Sequence, residues 1–542
     1  MFPRSAGILI PLFSLRTEDD LGRGEIMQMA PMIDFALAMG HRVIQLLPID
    51  ETAPAEASPY NALSVFAIDP LYISADELPG VGRLALRRAR KSSGASSSNA
   101  PDHPCSSARV VPRAAYASVK RELLDRAFEA FSSRARRAER EAFDDFVHRN
   151  SYWIDDYALF RALKDHFEFR CWEQWPRDLA QHELGAISTA RRELGENVRK
   201  YLYFQFVAHS QWEAMREYAR RRGAFIGGDL AFSPSRDSAE VWAHQEMFDL
   251  SRTVGTPPDQ FNPRGQRWGL PMPNWEMMRA EGFELWRSRV RHARGLYDLL
   301  RVDHVVGMYR TFSFGPEPDE PGRFFPPAEE EQRAQGEAVL RATIEEAPDA
   351  LIIAEDLGTV PPWVRQSLAA LGVPGYKVML WEREWDKPGE PFISPQNYPE
   401  LSLATTGTHD TDTLAVWWRE CSLEERTKLV QALNLDGRVN PGAPLKDAAL
   451  YAVIEALYAG RSILAILPIQ DLFGWECRIN RPGTISESNW TYRLPLSIER
   501  MTESEAIRSC QRTLLEIARR TGRFASQMSA GENGPSREKA SA

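Results

Sequence analysis

Short apolar runs recur along the chain, each closed by polar residues, Gly or Pro. In order they are GILIPLFSL, HRVIQLLPI, AFIGGDLAF, DLLRVDHVV, ALIIAEDLG, YKVMLWERE, LATTGTHD and SILAILPIQDL. Runs this short, apolar with little alternation, read as strands buried on both faces. Segments with helical spacing separate most of them; PPWVRQSLAALG follows the fifth run and FELWRSRVRHARG precedes the fourth. Eight strands alternating with helices predict an α/β fold, a parallel (β/α)8 barrel of the TIM type.

The connections are uneven. Residues from about 75 to 220 separate the second and third runs and read as an inserted, mainly helical subdomain. Within it, KSSGASSSNAPDHPCSSA is low in complexity and reads as a flexible loop. A second insertion, about 232–280, is rich in Pro, Gly and Trp and is a candidate lid or clamp over the barrel mouth. The barrel with its insertions is assigned to residues 1–522, and the tail 523–542 reads as disordered.

Composition narrows the function. A net charge of −9 argues against a nucleic-acid or anionic-membrane surface. No apolar run is long enough to span a membrane, and the N-terminal MFPRSAGILIPLFSL reads as a first buried strand rather than a signal peptide. The five cysteines are odd in number, widely spaced and without a CxxC pair. That usage fits a reducing, cytoplasmic setting with neither a disulfide framework nor a zinc site. Several aromatic residues sit in loops beside Gly, Pro and Asn, a placement that suits the flat apolar faces of sugars.

Polar residues gather at the C-terminal ends of the runs: Asp229, Asp303, Glu355, Asp356, His409, Asp410, Gln470 and Asp471. In this barrel class that end carries the active site. Asp303, Glu355 and Asp410 stand out, because carboxylates at the ends of the fourth, fifth and seventh strands converge on one pocket. Two carboxylates about 5–5.5 Å apart can run a retaining glycosyl transfer, one as nucleophile and the other as acid and then base. The two need different environments. Arg301, two residues before Asp303 on the same strand face, supplies a fixed positive partner, whereas Glu355 has no basic neighbour in its own run. His304 falls on the opposite face of a regular strand and reads as structural.

These segments resemble the amylomaltase, or 4-α-glucanotransferase (disproportionating enzyme), family of the α-amylase superfamily. RVDHVVGMYR resembles its nucleophile strand, IIAEDLG its acid/base strand and TGTHDTDT its third-carboxylate strand. SPYNALSVFAIDPLYI, GGDLAFSPSRDSAEVWAH and NRPGTISESNWTYRL resemble further family segments, and GTPPDQFNPRGQRWG resembles the clamp loop peculiar to amylomaltases. The resemblance implies Asp303 as nucleophile, Glu355 as acid/base and Asp410 as transition-state stabiliser. It also implies that Arg301 contacts the nucleophile and His409 the donor sugar. Ser58, Tyr60, Asp259, Phe261, Gln266, Trp268 and Asn480 should line glucan subsites, with Trp275 and Trp490 left as packing. The chain departs from the family at Gln260, at Asp69 and in GLPMPNW. Too little chain follows Asp471 for the C-terminal β-sandwich of ordinary amylases, which this family also lacks.

The implied activity is transfer of part of an α-1,4-glucan to another sugar's 4-hydroxyl with retention. Its partners are maltooligosaccharides, starch or glycogen, with glucose or maltose as acceptors. No cofactor or metal is implied, and lone glycines form no GxGxxG phosphate cradle. A hydrolase of the same superfamily and a non-catalytic glucan-binding barrel are the alternatives.

Overall fold

The computed structural model describes residues 2–54, 56–92, 113–258, 265–317, 320–484, 486 and 488–524. Twelve strands form in chain order. They are β1 (Ser5–Leu9), β2 (Val43–Gln45), β3 (Phe225–Leu230), β4 (Phe248–Thr256), β5 (Gln266–Pro273), β6 (Leu299–Val302), β7 (Thr311–Phe314), β8 (Arg323–Phe325), β9 (Leu351–Ala354), β10 (Gly375–Val378), β11 (Ser402–Thr405) and β12 (Leu464–Pro468).

Eight of them close a parallel barrel in the order β1, β2, β3, β6, β9, β10, β11, β12, each pairing with the next and β12 returning to β1. Each overlaps one of the apolar runs, with β1, β10 and β11 beginning one or two residues before it. The reason is burial: β1, β6, β11 and β12 are buried at every position, packed by side chains inside and helices outside. Close packing also sets residue size. A Cβ at Gly228 on β3 would lie 2.2 Å from the Tyr297 ring, so only glycine fits there.

Helices follow most barrel strands, among them Met29–Ala38, Gly195–Arg222, Glu284–Leu296, Glu329–Glu346, Pro362–Ala370 and Asp447–Ala459. Gly195–Arg222 ends at Gly223, whose φ of 72° gives the left-handed cap. This helix also packs on β3 and on Met29–Ala38, so the last part of the 75–220 segment is barrel wall. Between β10 and β11 there is no α-helix, only the short turn Pro395–Asn397.

The segment read as a lid is a sheet. β4 and β5 form an antiparallel hairpin, and β7 and β8 extend it in the order β5-β4-β7-β8. Gly255 permits the close strand approach, since a Cβ there would meet Gln266 O at 1.8 Å. Arg252 ties the sheet together, donating to Ser313 Oγ at 2.9 Å and Ser313 O at 3.1 Å.

Three local readings change. DLLRVDHVV is strand only over Leu299–Val302; Asp303 and His304 lie in the turn beyond, and His304 has φ 45°. Strand alternation therefore does not govern where His304 points. Arg523, assigned to the tail, is buried and donates to the carbonyls of Tyr458 and Ser462 at 2.7 and 3.0 Å. Cys171, Cys421 and Cys510 are free thiols, but Cys477 is disulfide-bonded, against the expectation of unpaired cysteines. Among the described residues, no helix is long and apolar enough to cross a membrane, and no C-terminal β-sandwich follows the barrel.

Candidate active site

Arg301 is the hub of the barrel mouth. Barrel register sets it beside Asp229 across β3 and β6. Its Nη1 donates to both Asp229 carboxylate oxygens at 2.7 and 2.8 Å and to Asp303 Oδ1 at 2.9 Å. Its Nη2 lies 4.0 Å from Glu355 Oε2. One buried guanidinium thus links three carboxylates, a use that suits its rigid fork of donors. Despite burial, Asp229, Tyr60 and Asp303 hold the Arg301 pKa well above its ordinary value.

Glu355 sits one residue past β9. Its Oε2 accepts the His304 N–H at 2.8 Å and its Oε1 the Leu357 N–H at 3.0 Å. Those two bonds and Arg301 favour the charged form, but burial outweighs them. With the negative charge of Asp303 nearby, burial pushes Glu355 up to about 7. The contrast with Asp303 is environmental: Asp303 is bonded to the guanidinium directly and is more exposed, while Glu355 is enclosed.

Asp410 follows β11. Asn480 Nδ2 donates to its Oδ1 at 2.7 Å, and His409 Nε2 lies 3.3 Å from its Oδ2. Burial raises this carboxyl, but His409 and Asn480 together carry it down to about 2. Burial lowers His409 in turn, and Asp410 more than reverses that, leaving His409 above its ordinary value. The Asn480 N–H donates to the His409 carbonyl at 3.1 Å, which fixes the loop after β12 to the loop after β11.

Tyr60 connects the two halves. Its hydroxyl donates to Asp229 Oδ2 at 2.7 Å, and its ring stacks on His409 with centroids 5.3 Å apart. Ser58 Oγ accepts the Tyr60 N–H at 3.3 Å, so Ser58 shapes the turn that presents Tyr60. Trp490, read as packing, lies against both rings of this pair, 5.7 Å from His409 and 6.0 Å from Tyr60. Trp275 does pack, buried against Trp286 and Phe232.

The clamp sheet reaches the site through Trp268 on β5, whose ring meets His304 edge-on at 4.8 Å. His304 is held between Trp268 and Phe232 and is pushed down to about 4 by burial, so it is a neutral spacer beneath the clamp. Gln266 opens β5 opposite Thr256 and stands outside the hydrogen-bond network of the three acids. Asp259, Phe261 and the departure at Gln260 lie outside the described residues.

The structure therefore brings together Asp303, Glu355, Asp410, Arg301, His409, Asn480, Tyr60 and Ser58. Asp229 joins them as the main partner of Arg301, a role that the GGDL strand end hinted at only through its position. Asp356 and Asp471 do structural work: Asp356 accepts the Tyr376 N–H at 2.7 Å, and Asp471 accepts the Leu414 N–H at 2.7 Å. Among the described residues, no group of three or more His, Cys, Asp or Glu is arranged to hold a metal ion.

A (β/α)8 barrel with three carboxylates gathered around an arginine at its C-terminal mouth belongs to the class of barrels built for acid–base and nucleophilic work at one pocket. Known proteins narrow that class. The profile of the 4-α-glucanotransferase family matches residues 10–498. The chain is 32% identical over 521 residues to the 4-α-glucanotransferase of Chlamydia muridarum, covering 93% of each. It is 33% identical to that of Synechocystis over 506 residues, covering 90% of this chain and 94% of the other. The amylomaltase from Streptococcus agalactiae in complex with acarbose aligns with a TM-score of 0.81 at 26% identity, over 96% of this chain and 100% of that one. The chain belongs to the 4-α-glucanotransferase family, transferases acting on α-1,4-glucans.

Proposed function

We propose that Asp303 is the nucleophile, Glu355 the acid/base and Asp410 the transition-state stabiliser of a retaining transfer between α-1,4-glucans. Asp303 attacks the anomeric carbon of the donor while the glycosidic C–O bond breaks. The Glu355 proton passes to the departing oxygen, and a glycosyl–Asp303 ester forms. Glu355, now ionised, takes the proton from the 4-hydroxyl of the acceptor. That oxygen attacks the same carbon, and the Asp303 carboxylate is released. Two inversions give net retention.

The observation that carries the assignment is the split environment around Arg301. Asp303 accepts a guanidinium hydrogen bond at 2.9 Å, while Glu355 is enclosed and raised to about 7, so it holds a proton to give near neutral pH. Asp410, held low by His409 and Asn480, keeps its charge for the developing positive character at the anomeric centre. His409 and Tyr60 form the wall on which the donor sugar rests. The clamp sheet, with Trp268 on its inner side, excludes water so that maltooligosaccharides, glucose or maltose compete as acceptors.

Incubation with maltotriose tests the reading. Transfer yields a ladder of longer and shorter glucans, whereas a digest containing only shorter sugars assigns the site to hydrolysis. Asp303→Asn removes the ladder and lowers kcat by about four orders of magnitude or more, as expected for loss of a covalent nucleophile. Wild-type turnover in that variant refutes the assignment.

A further inference from the structure

The barrel sheet does not by itself fix the two loops that carry Asp410 and Asn480. β11 and β12 pair through Leu403–Leu464 and Ala404–Ala465, and that ladder ends well before either residue. Asp410 lies in a turn and Asn480 in irregular chain. Yet Asn480 Nδ2 meets Asp410 Oδ1 at 2.7 Å. A hydrogen bond of that length between two loops needs both main chains held.

Arg478 holds both. Its Nε donates to the Asn480 carbonyl at 2.9 Å and its Nη2 to the Asp410 carbonyl at 2.5 Å. Its Nη1 donates to the Asp412 carboxylate. One guanidinium thus grips the main chain of each member of the Asn480–Asp410 pair, and a side chain just beyond Asp410. The fork is planar and rigid, so placing two of its bonds places the third. Each loop is also tied down locally. Gln470 Nε2 donates to the Cys477 carbonyl at 3.2 Å, and the Trp490 N–H to the Ile479 carbonyl at 2.8 Å. On the other side, Thr408 Oγ1 accepts the Asp410 N–H at 3.2 Å. Arg478 joins these two anchored segments.

The contact works by position rather than by charge. Arg478 touches Asp410 at its carbonyl, not at its carboxylate, and Asp412 neutralises the guanidinium. The Asp410 carboxylate takes its own partners from His409 and Asn480. A lysine here keeps a positive charge, but as a point on a flexible stem it has no fork to span the two loops.

We propose that Arg478 is a positioning residue for the transfer reaction, acting through the Asn480–Asp410 bond to hold the Asp410 carboxylate in place. The inference rests on the reading of Asp410 as transition-state stabiliser. A carboxylate matched to developing positive charge does little for the bound ground state, so misplacing it costs kcat and spares KM.

The experiment measures kcat and KM for maltotriose transfer in Arg478→Ala, Arg478→Lys, Asn480→Ala, the double variant Arg478→Ala/Asn480→Ala, and Asp410→Asn. Arg478→Ala should lower kcat about tenfold and change KM by less than about twofold. Arg478→Lys should fall nearly as far, because it keeps the charge and loses the fork. In the double variant kcat should stay close to that of Asn480→Ala alone, since both substitutions break the same bond. Wild-type kcat in Arg478→Ala overturns the proposal. So does full activity in Arg478→Lys, which assigns the effect to charge. Effects that multiply in the double variant also overturn it, because they mark a general weakening of the fold. If Arg478→Ala does not fold, Arg478→Lys alone and combined with Asn480→Ala carries the same comparison. Wild-type kcat in Asp410→Asn refutes the reading of Asp410, and the positioning role with it. An inactive Asp410→Asn beside a fully active Arg478→Ala refutes the positioning role alone.

Discussion

Glu355→Gln should make the protein more stable at pH 8 relative to wild type than it is at pH 5. Enclosure raises the Glu355 carboxyl from an ordinary 4.5 to about 7. Between those values the folded protein holds a proton that the unfolded chain has lost, so wild-type stability falls as pH rises through the window and then levels off. Each pH unit is worth about 1.4 kcal/mol, and the window implies a total on the order of 2–3 kcal/mol between pH 5 and pH 8. The side chain is only 12% exposed, so solvent screening removes little of it. Glutamine does not titrate. It also fits the site imperfectly, because Glu355 accepts two backbone N–H groups, from His304 and Leu357, and an amide can accept only on its oxygen. That mismatch costs about 1–3 kcal/mol, but equally at both pH values, so it cancels in the comparison. Urea unfolding of both proteins at pH 5 and pH 8 gives the difference directly. The variant-minus-wild-type stability should rise by roughly 2–3 kcal/mol from the lower to the higher pH. A difference that is flat with pH, or that falls, refutes the claim that enclosure dominates the Glu355 environment.

Two further predictions follow from the same geometry. The kcat/KM of transfer should fall about tenfold per pH unit above about 7, because the protonated form of Glu355 gives the proton to the leaving oxygen; with maltosyl fluoride as donor, whose leaving group needs no proton, that limb should disappear, and its persistence would assign it to another group. Asn480→Ala removes the 2.7 Å donor to Asp410 and should lower kcat by about 10- to 100-fold, the worth of a hydrogen bond to a charged group; an unaltered kcat removes Asn480 from the site.

The barrel was legible because its strands obey a local rule. A parallel strand covered on both faces must be apolar along its length, and the eight runs show it without any knowledge of their partners. The acids were legible because they interrupt that rule at strand ends, where charge in an apolar run is costly unless it is used. The clamp sheet was not legible. β4 pairs with β7 across the intervening helix Glu284–Leu296 and strand β6, and β5, interrupted by Gly269, Pro271 and Pro273, carries little periodic signal. His304 was misplaced for a related reason. Its direction was read from strand alternation, but the strand ends at Val302.

The sequence by itself determined the number and order of the barrel strands, the three carboxylates at their ends and the family to which those motifs point. Only the tertiary structure decided who touches whom at the mouth. Asp229 meets Arg301 because closure of the barrel sets β3 beside β6 in that register. Trp490 reaches His409 and Tyr60 because the loop after β12 folds back over the loop after β11. Glu355 differs from Asp303 because of the surface that covers it. Apolar patterning is a property of each segment and can be read along the chain, whereas register, enclosure and electrostatic environment depend on distances between segments and exist only once the barrel has closed.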